Sequence, residues 1–123
     1  MRLRLLDGEL AVCRLAPGAP VPEWGWTGAV ACVTRTAAET SIVCDAASVP
    51  AGTQAESGWR AFAIEGPIPF GLTGVLAAVL NPLAAAGIGI FAVSTYDTDY
   101  VLVRSTDAAR SAEALRAAGH VIL

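Results

Sequence analysis

Apolar positions between residues 72 and 83 recur with the spacing of a helix. They fall at Leu72, Val75, Leu76, Val79, Leu80 and Leu83. This spacing places one apolar stripe along a helix with a period of 3.6 residues. Gly87, after three alanines, predicts a left-handed stop. Pro82 lies inside the pattern and predicts either a kink or a helix that is finished near Asn81, because proline removes one helical hydrogen bond.

After Gly87 the period of the apolar positions changes from 3.6 residues, as in a helix, to 2 residues, as in a strand. Residues 88–95 (IGIFAVST) are apolar and uncharged, which predicts a short strand with both faces at least partly covered. Residues 96–99 (YDTD) predict a polar corner, since Asp side chains bond readily to nearby backbone amides. Residues 100–104 form the predicted returning strand.

The first part of the chain reads as strands with little helix. Asp7-Gly8 lies between the apolar runs 2–6 and 10–15 and predicts a hairpin that joins them. Strands are also predicted over residues 29–34 and 41–44. Between them, Thr36 and Glu39 have the spacing of a capping box that opens a single helical turn. Residues 45–58 are small and polar and predict a connector.

The remaining segments complete a β-α-β-β-α-β order in the second half. Residues 59–65 alternate as a strand, and residues 66–69 (GPIP) bend into the first helix. A second helix is predicted over residues 108–118, with N-cap candidates at 105–107, inward positions Ala108, Ala112 and Leu115, and a stop at Gly119 before a final strand. We therefore predict an α+β, ferredoxin-like fold: a helix-poor first half at 1–57 and a βαββαβ half at 58–123.

Composition narrows the possible functions. The chain has 123 residues, of which 54% are hydrophobic and 15% charged, and its net charge is −3 with no lysine. The lack of a basic patch argues against nucleic acid as a partner. No window approaches a membrane span, and the first residues lack a signal-peptide pattern, so we expect a cytoplasmic protein with no membrane partner. High apolar content and exposed sheet edges predict a homodimer.

Candidate catalytic and metal-binding groups are sparse. Cys13, Cys32 and Cys44 are far apart and lack metal-ligand spacing, and His120 is the single histidine. We expect the three cysteines to be unpaired and unligated. Acid–base catalysis needs clusters of positioned titratable groups. We therefore expect no enzyme activity, no metal and no cofactor.

Two long segments carry a family resemblance. Residues 62–77 (FAIEGPIPFGLTGVLA) and 87–103 (GIGIFAVSTYDTDYVLV) resemble an ACT domain. More narrowly, the chain is similar to small bacterial ACT proteins related to the ACT pairs of the CASTOR arginine sensors and of aspartate kinases. Residues 36–44 (TAAETSIVC) resemble the first-half motif of these pairs. The segment 94–103 is the most specific part of the match.

The resemblance implies regulatory binding of an amino acid, usually at an interface between ACT units. We expect no enzyme or DNA-binding domain among these residues, so the resemblance leaves open either a separate effector protein that reads the signal or a stand-alone sensor or buffer. The implied ligand-binding positions lie in the loop before the first predicted helix and at its start, at the end of the strand that follows this helix, and in the first half of the chain. They are Phe70, Leu72, Thr73, Gly74, Val75, Thr95, Tyr96, Thr98, Asp99, Ser41, Ile42 and Val43.

Physical chemistry supports such a site independently. Backbone amides at the start of the first helix favour a carboxylate. Gly71 and Gly74 permit close approach of the backbone. Asp97 or Asp99 can hold an ammonium group or a cationic side chain. Each of these residues has a structural alternative: turn capping for the two aspartates, and close helix–sheet packing for Gly74.

Two other functional classes stay open at this stage. One is a structural protein–protein interaction module, with Trp24, Trp26 and Trp59 as interface anchors. The other is a small enzyme of ferredoxin-like fold, which would have to work without a histidine or cysteine cluster.

Overall fold

The computed structural model describes all residues from 1 to 123 and contains eight strands and two α-helices. The strands are β1 (Arg2–Leu5), β2 (Leu10–Leu15), β3 (Cys32–Arg35), β4 (Thr40–Asp45), β5 (Ala55–Ile64), β6 (Ile90–Ser94), β7 (Asp99–Arg104) and β8 (Val121–Ile122). The helices are α1 (Val75–Ala85) and α2 (Ala108–Ala117). The chain divides into a discontinuous unit, Met1–Leu6 with Arg60–Leu123, and an inserted unit, Asp7–Trp59.

The discontinuous unit has the βαββαβ order with one additional strand. Its strands lie in the order β6-β7-β5-β1-β8. β1 is antiparallel to β5 and parallel to β8, so it occupies the place between the first and last strands of the ferredoxin-like order. The predicted hairpin between β1 and β2 is wrong, because the partners of β1 are these two strands and β2 pairs with β4 and β5.

Both helices of the discontinuous unit contribute to one apolar core. Alternate strand residues and one face of each helix supply it, in keeping with the predicted stripe and the predicted inward face of the second helix. Its buried members are Leu3, Phe62, Ile64, Val75, Val79, Leu83, Ile88, Val101, Val103, Ala108, Ala112 and Leu115. The helices therefore pack on the same face of the sheet.

Helix α1 continues through its proline. It ends at Ala85, so the alternative of a helix that is finished near Asn81 is wrong. Pro82 has no N–H for the carbonyl of Ala78, four residues earlier. The ring of His120 supplies the missing donor, because its Nε2 lies 2.8 Å from that carbonyl oxygen. A carbonyl only accepts, so Nε2 carries the proton.

Glycines end both helices as predicted. After α1, Gly87 has φ +72°, and the amide of Ile88 bonds to the carbonyl of Leu83 at 2.9 Å. After α2, Gly119 has φ +94°, and the amide of His120 bonds to the carbonyl of Leu115 at 3.0 Å. This is the left-handed stop that satisfies the last carbonyls of a helix.

The start of α2 differs from the prediction at Asp107, one of the N-cap candidates. Residues 105–107 form a 3-10 turn, and Asp107 makes no side-chain capping bond. Its carboxylate accepts a hydrogen bond from Arg110 at 3.0 Å instead.

The inserted unit has the ferredoxin-like strand order without α-helices. Its antiparallel strands lie in the order β3-β4-β2-β5, the last through residues 55–59. Short 3-10 turns, Glu23–Trp26 and Ala46–Ser48, stand at the two crossover positions. Its core contains Ala11, Cys13, Ile42 and Cys44. The inserted unit is therefore poor in helix.

Two local predictions in the inserted unit are wrong. Residues 36–39 form no helical turn, because they are the tight turn between β3 and β4. The predicted connector 45–58 ends early, since β5 already begins at Ala55.

Candidate functional site

A cavity of about 330 Å³ opens in the discontinuous unit, between the start of α1 and the corner that joins β6 to β7. Three segments form it: the loop before α1, the first turn of α1 and the corner. The lining residues are Ile68, Pro69, Phe70, Leu72, Gly74, Val75, Leu76, Ser94, Thr95, Tyr96, Asp97, Thr98 and Asp99. Its size suits a small molecule.

A threonine holds the corner in shape. The amide of Thr95 donates to the carbonyl of Thr98 at 2.8 Å, and the Thr95 hydroxyl oxygen accepts from the amide of Thr98 at 3.2 Å. One pair further along the ladder, Ser94 lies opposite Asp99. Its hydroxyl donates to Asp99 Oδ1 at 2.6 Å, which fixes that carboxylate and leaves Oδ2 for another donor.

The corner is also tied to the segment that leaves β5. The amide of Ile68 donates to the carbonyl of Asp97 at 2.7 Å, and the Thr98 hydroxyl donates to the carbonyl of Ile64 at 2.5 Å. A Cβ atom at Gly66 would lie 2.9 Å from the Asp97 carbonyl oxygen. Glycine is therefore required for this close approach, and the two sides of the cavity are held together.

The start of α1 faces the cavity without a cap of its own. The N-cap residue is Gly74, with φ +78° and no side chain, and the first turn carries no acidic residue. The first amides of a helix lack partners within it and form a region of partial positive charge. A Cβ at Gly74 would meet nothing within 4 Å, so its left-handed backbone, and not close packing, is what requires glycine.

Two aromatic rings lie at the cavity mouth. Phe70 and Tyr96 meet edge to face, with centroids 4.9 Å apart and an interplanar angle of 84°. Both remain largely exposed, at 76% and 80%. Leu72 is also exposed and precedes the helix, so its predicted place in the helical stripe is wrong.

The charged side chains of the lining are both acidic. Asp99 is half-buried and bonded to Ser94, whereas Asp97 is exposed and makes no ion pair. No arginine and no histidine lines the cavity. The site therefore combines a positive helix end with two carboxylates, an arrangement that suits a ligand carrying both signs of charge.

The structure brings together eight of the predicted site residues. Phe70, Leu72, Gly74, Val75, Thr95, Tyr96, Thr98 and Asp99 line the cavity. Thr73 lies in the loop but does not line it. Ser41, Ile42 and Val43 belong to β4 of the inserted unit, where Ile42 and Val43 are buried.

Several lining residues were absent from the predicted positions. They are Ile68, Pro69, Leu76 and Ser94, whereas Asp97 was named only as an alternative to Asp99. A strand register that pairs Ser94 with Asp99 would have indicated the serine, and Leu76 belongs to the helical stripe. Ile68 and Pro69 carry no signal in the sequence, because a loop conformation places them.

No cysteine lines this cavity, and all three are free thiols. Cys13 and Cys44 are buried on the adjacent strands β2 and β4 of the inserted unit. Burial raises the pKa of Cys44 to about 12, and the neighbouring Cys13 and Asp45 add to the rise. Burial also raises the pKa of Cys13. Such thiols are poor nucleophiles.

Comparison with known proteins assigns the family. The ACT domain family model matches residues 54–117, and a model of an N-terminal domain matches residues 8–52. The chain belongs to the ACT domain family. The ACT domain is a regulatory ligand-binding module, and the resemblance noted in the sequence is confirmed at this level.

Solved structures from other organisms share the fold of this chain. A structural-genomics target from Agobacterium tumefaciens is 40% identical, with a TM-score of 0.93 over 99% of this chain and 91% of that one. A Vibrio cholerae protein, described as a possible transport protein, is 18% identical, with a TM-score of 0.76 over 94% and 88%. Aspartate kinase from Clostridium acetobutylicum, described as an allosteric enzyme, is 10% identical, with a TM-score of 0.69 over 91% of this chain and 33% of the kinase. The last two likenesses establish the fold alone.

Neither helix has the length and apolar character needed to cross a membrane.

Proposed function

We propose that this ACT protein is a non-catalytic regulatory module that binds a free amino acid in the cavity beside α1. The observation that carries the proposal is the pairing of an uncapped helix start with the half-buried, oriented carboxylate of Asp99 in one cavity. An α-amino acid has a carboxylate and an ammonium group at a fixed separation. Opposite charges on the two sides of a small cavity are complementary to such a molecule.

The ligand carboxylate belongs at the start of α1. Gly74, Val75 and Leu76 line the cavity there, and no side chain competes for their amides. Backbone amides at a helix start bind anions through direct hydrogen bonds and the helix dipole.

The ligand ammonium group belongs at Asp99. Ser94 already orients this carboxylate through Oδ1, so little side-chain freedom is lost when a ligand bonds to Oδ2. Hydrogen bonds between charged groups are roughly twice as strong as neutral ones. Asp99 therefore supplies the polar contact that separates an amino acid from a simple carboxylic acid.

A homodimer fits the edge of the sheet. β6 pairs only with β7, carries no charge, and exposes Ile90 and Ala92 on one face. The predicted strand with both faces at least partly covered is therefore wrong for the face that carries Ile90 and Ala92. An uncharged edge strand is open to pairing with another chain. We propose that a second copy covers it, in a bacterial cytoplasmic protein whose ligand state a separate effector protein reads.

An interaction module is the second candidate function. Phe70, Leu72 and Tyr96 form an exposed apolar group around the cavity mouth, which a protein partner could cover. Trp59 is buried and is no longer a candidate anchor, whereas Trp26 is 59% exposed.

A melting-temperature screen with the twenty amino acids separates these two functions. A ligand that binds only the native state raises the melting temperature. We expect one amino acid or one chemical class to do so at millimolar concentration. No shift with any of the twenty would contradict amino-acid binding and favour the interaction module.

Sedimentation at tens of micromolar tests the homodimer, and a monomer mass would contradict it.

Asp99→Asn tests the site itself. Loss of a charged hydrogen bond costs about 1.5–3 kcal/mol, so calorimetric titration should show roughly 10- to 100-fold weaker binding of the amino acid found in the screen. Asp97→Asn is the matched control and should weaken binding less, because Asp97 is exposed. The melting temperature without ligand should change little in either variant. Equal affinity for wild type and Asp99→Asn would remove Asp99 from the site.

A further inference from the structure

An exposed indole and an exposed carboxylate lie side by side in the inserted unit. Trp26 is 59% exposed, and no hydrogen bond or ring contact engages its side chain. Glu23 is also exposed, and its carboxylate makes no ion pair or hydrogen bond. Both residues belong to the 3-10 turn Glu23–Trp26. Side chains three residues apart in a 3-10 helix eclipse each other, so the carboxylate lies next to the indole.

The backbone of this turn is fixed on both sides. Gly25 is buried, and a Cβ atom there would lie 3.3 Å from the Ile42 side chain, so the turn packs closely on β4. The hydroxyl of Thr27 donates to the carbonyl of Trp24 at 2.8 Å, and the carbonyl of Thr27 accepts from the amide of Asp45 at 3.0 Å. A partner that binds to this turn therefore has little backbone to order, which favours binding.

The charge of the inserted unit indicates the charge of its partner. Residues 7–59 include six acidic residues and two arginines, a net charge of −4. Both arginines already donate to backbone carbonyls of the same unit, Arg14 to Ala38 at 3.2 Å and Arg35 to Ala19 at 2.5 Å. The face of an indole attracts a cation, and a neighbouring carboxylate adds an ion pair. The turn therefore suits the side chain of an arginine or a lysine.

The strength of these contacts favours a protein over a small molecule as the occupant. A cation on an exposed indole and an exposed ion pair each strengthen binding by a factor of about 2 to 5. A free cationic amino acid would gain only about 4- to 25-fold from the two contacts together. A basic protein segment adds contacts with the rest of this acidic unit, so it can bind more tightly.

We propose that the Glu23–Trp26 turn is a docking surface for a basic segment of the effector protein. One arginine or lysine side chain of that segment lies on the indole of Trp26 and bonds to the carboxylate of Glu23. The inference rests on the proposed function, in which a separate effector protein reads the ligand state. The turn and the cavity share no residue, so the ligand and the effector do not compete for the same side chains.

An NMR titration with a capped tri-arginine peptide tests this proposal. The chain has three tryptophans and hence three indole N–H signals, and the signal that disappears in Trp26→Phe belongs to Trp26. The peptide should shift this signal and bind about 4- to 25-fold more tightly than a capped tri-citrulline peptide, which has a similar shape but no charge. An unchanged Trp26 signal at millimolar peptide would overturn the proposal.

Two variants with the same change in net charge separate a defined site from general attraction to an acidic protein. Glu23→Gln should weaken tri-arginine binding about 2- to 5-fold, and Glu39→Gln, which lies outside the turn, should weaken it less. Trp26→Ala should weaken it about 2- to 5-fold, measured from the amide signals of Gly25 and Thr27. Equal effects of Glu23→Gln and Glu39→Gln would overturn the proposal.

Other occupants of the turn give different results in the same experiment. A Trp26 signal that changes on dilution without peptide would show that a second copy covers the turn. Free arginine that binds as tightly as tri-arginine would show a small-molecule site. Either result overturns effector docking. The titration contains no cavity ligand, so its failure leaves amino-acid binding in place, whereas failure of the amino-acid screen leaves the peptide result unchanged.

Discussion

Two hairpins, one in each unit, have the same turn conformation but carry different side chains on the turn. In the β3–β4 hairpin, the amide of Thr36 donates to the carbonyl of Glu39 at 3.0 Å, and its hydroxyl accepts from the amide of Glu39 at 3.2 Å. In the β6–β7 hairpin, Thr95 makes the same two bonds with Thr98, at 2.8 and 3.2 Å. Because both turns have the same backbone hydrogen bonds, this turn conformation does not by itself create a binding site.

The side chains at equivalent positions differ completely. Ala37, Ala38 and Thr40 in the first hairpin correspond to Tyr96, Asp97 and Asp99 in the second. The inserted unit also has a 3-10 turn where the discontinuous unit has α1, so it lacks a full helix start. Only the discontinuous unit combines a full helix start with acidic side chains at the corner, which are the two features that the proposed site uses.

The largest effects are expected from substitutions at two glycines, one in each unit. A Cβ at Gly66 would lie 2.9 Å from the Asp97 carbonyl oxygen, and a Cβ at Gly28 would lie 2.8 Å from the Asp45 amide nitrogen, with Gly28 also at φ +96°. Either Gly→Ala change should destabilise the protein by about 1–3 kcal/mol in urea denaturation, because backbone must shift. Only Gly66→Ala displaces the corner, so it alone should weaken amino-acid binding tenfold or more. Equal loss of affinity in both variants would contradict the confinement of the site to one unit.

The second prediction concerns the helix that distinguishes the two units. His120→Leu leaves the Ala78 carbonyl without its donor, and also removes the ring nitrogen that lies 2.9 Å from the terminal amine. We expect a loss of about 1–2 kcal/mol in urea denaturation. Pro82→Ala supplies the missing helical N–H, so His120→Leu should cost less in a Pro82→Ala background. Additive effects of the two substitutions would contradict the link between Pro82 and His120.

The third prediction uses the buried thiol pair of the inserted unit. The pKa of Cys44 is raised from its ordinary value of 9.0 to about 12. In the native state the Cys44 thiol therefore stays protonated to a higher pH than in the unfolded state. Above about pH 9, the free energy of unfolding falls by at most about 1.4 kcal/mol per pH unit. Denaturation between pH 8 and 10.5 should show a steeper loss for wild type than for Cys44→Ala. Parallel pH profiles would show that this thiol does not contribute.

Local patterns in the sequence predicted those elements whose determinants are local. The stripe at Val75, Val79 and Leu83 and the stop at Gly87 need only neighbours one or two turns away, and both are confirmed. Asp7-Gly8 misled for the opposite reason. Its turn signal is local, whereas β1 gains its partners from residues about 60 and 120 positions later. Thr36 misled because an N-cap and this turn use the same hydroxyl bond to an amide three residues later.

The candidate site was predictable in its segments but not in its geometry. The corner and the helix start follow from composition and period. The contacts that join them, from Ile68 to Asp97 and from Thr98 to Ile64, depend on a loop conformation that no period encodes. The same holds for β6: its sequence indicates a covered strand, but an edge position leaves Ile90 and Ala92 exposed.

The prediction with the smallest expected effect concerns one hydroxyl group in each of the two hairpins. Ser94 bonds to a side chain, Asp99, whereas Thr36 bonds to its own turn backbone. Ser94→Ala should therefore weaken amino-acid binding about 2- to 5-fold, because Asp99 loses its orientation, with almost no change in stability. Thr36→Ala should lower stability by about 0.5–1 kcal/mol and leave affinity unchanged. Ser94→Thr keeps the hydroxyl on a strand that favours β-branched residues, and should retain wild-type affinity. If Ser94→Thr binds as weakly as Ser94→Ala in calorimetric titration, the hydroxyl does not position Asp99, and the difference between the hairpins rests on Tyr96, Asp97 and Asp99 alone.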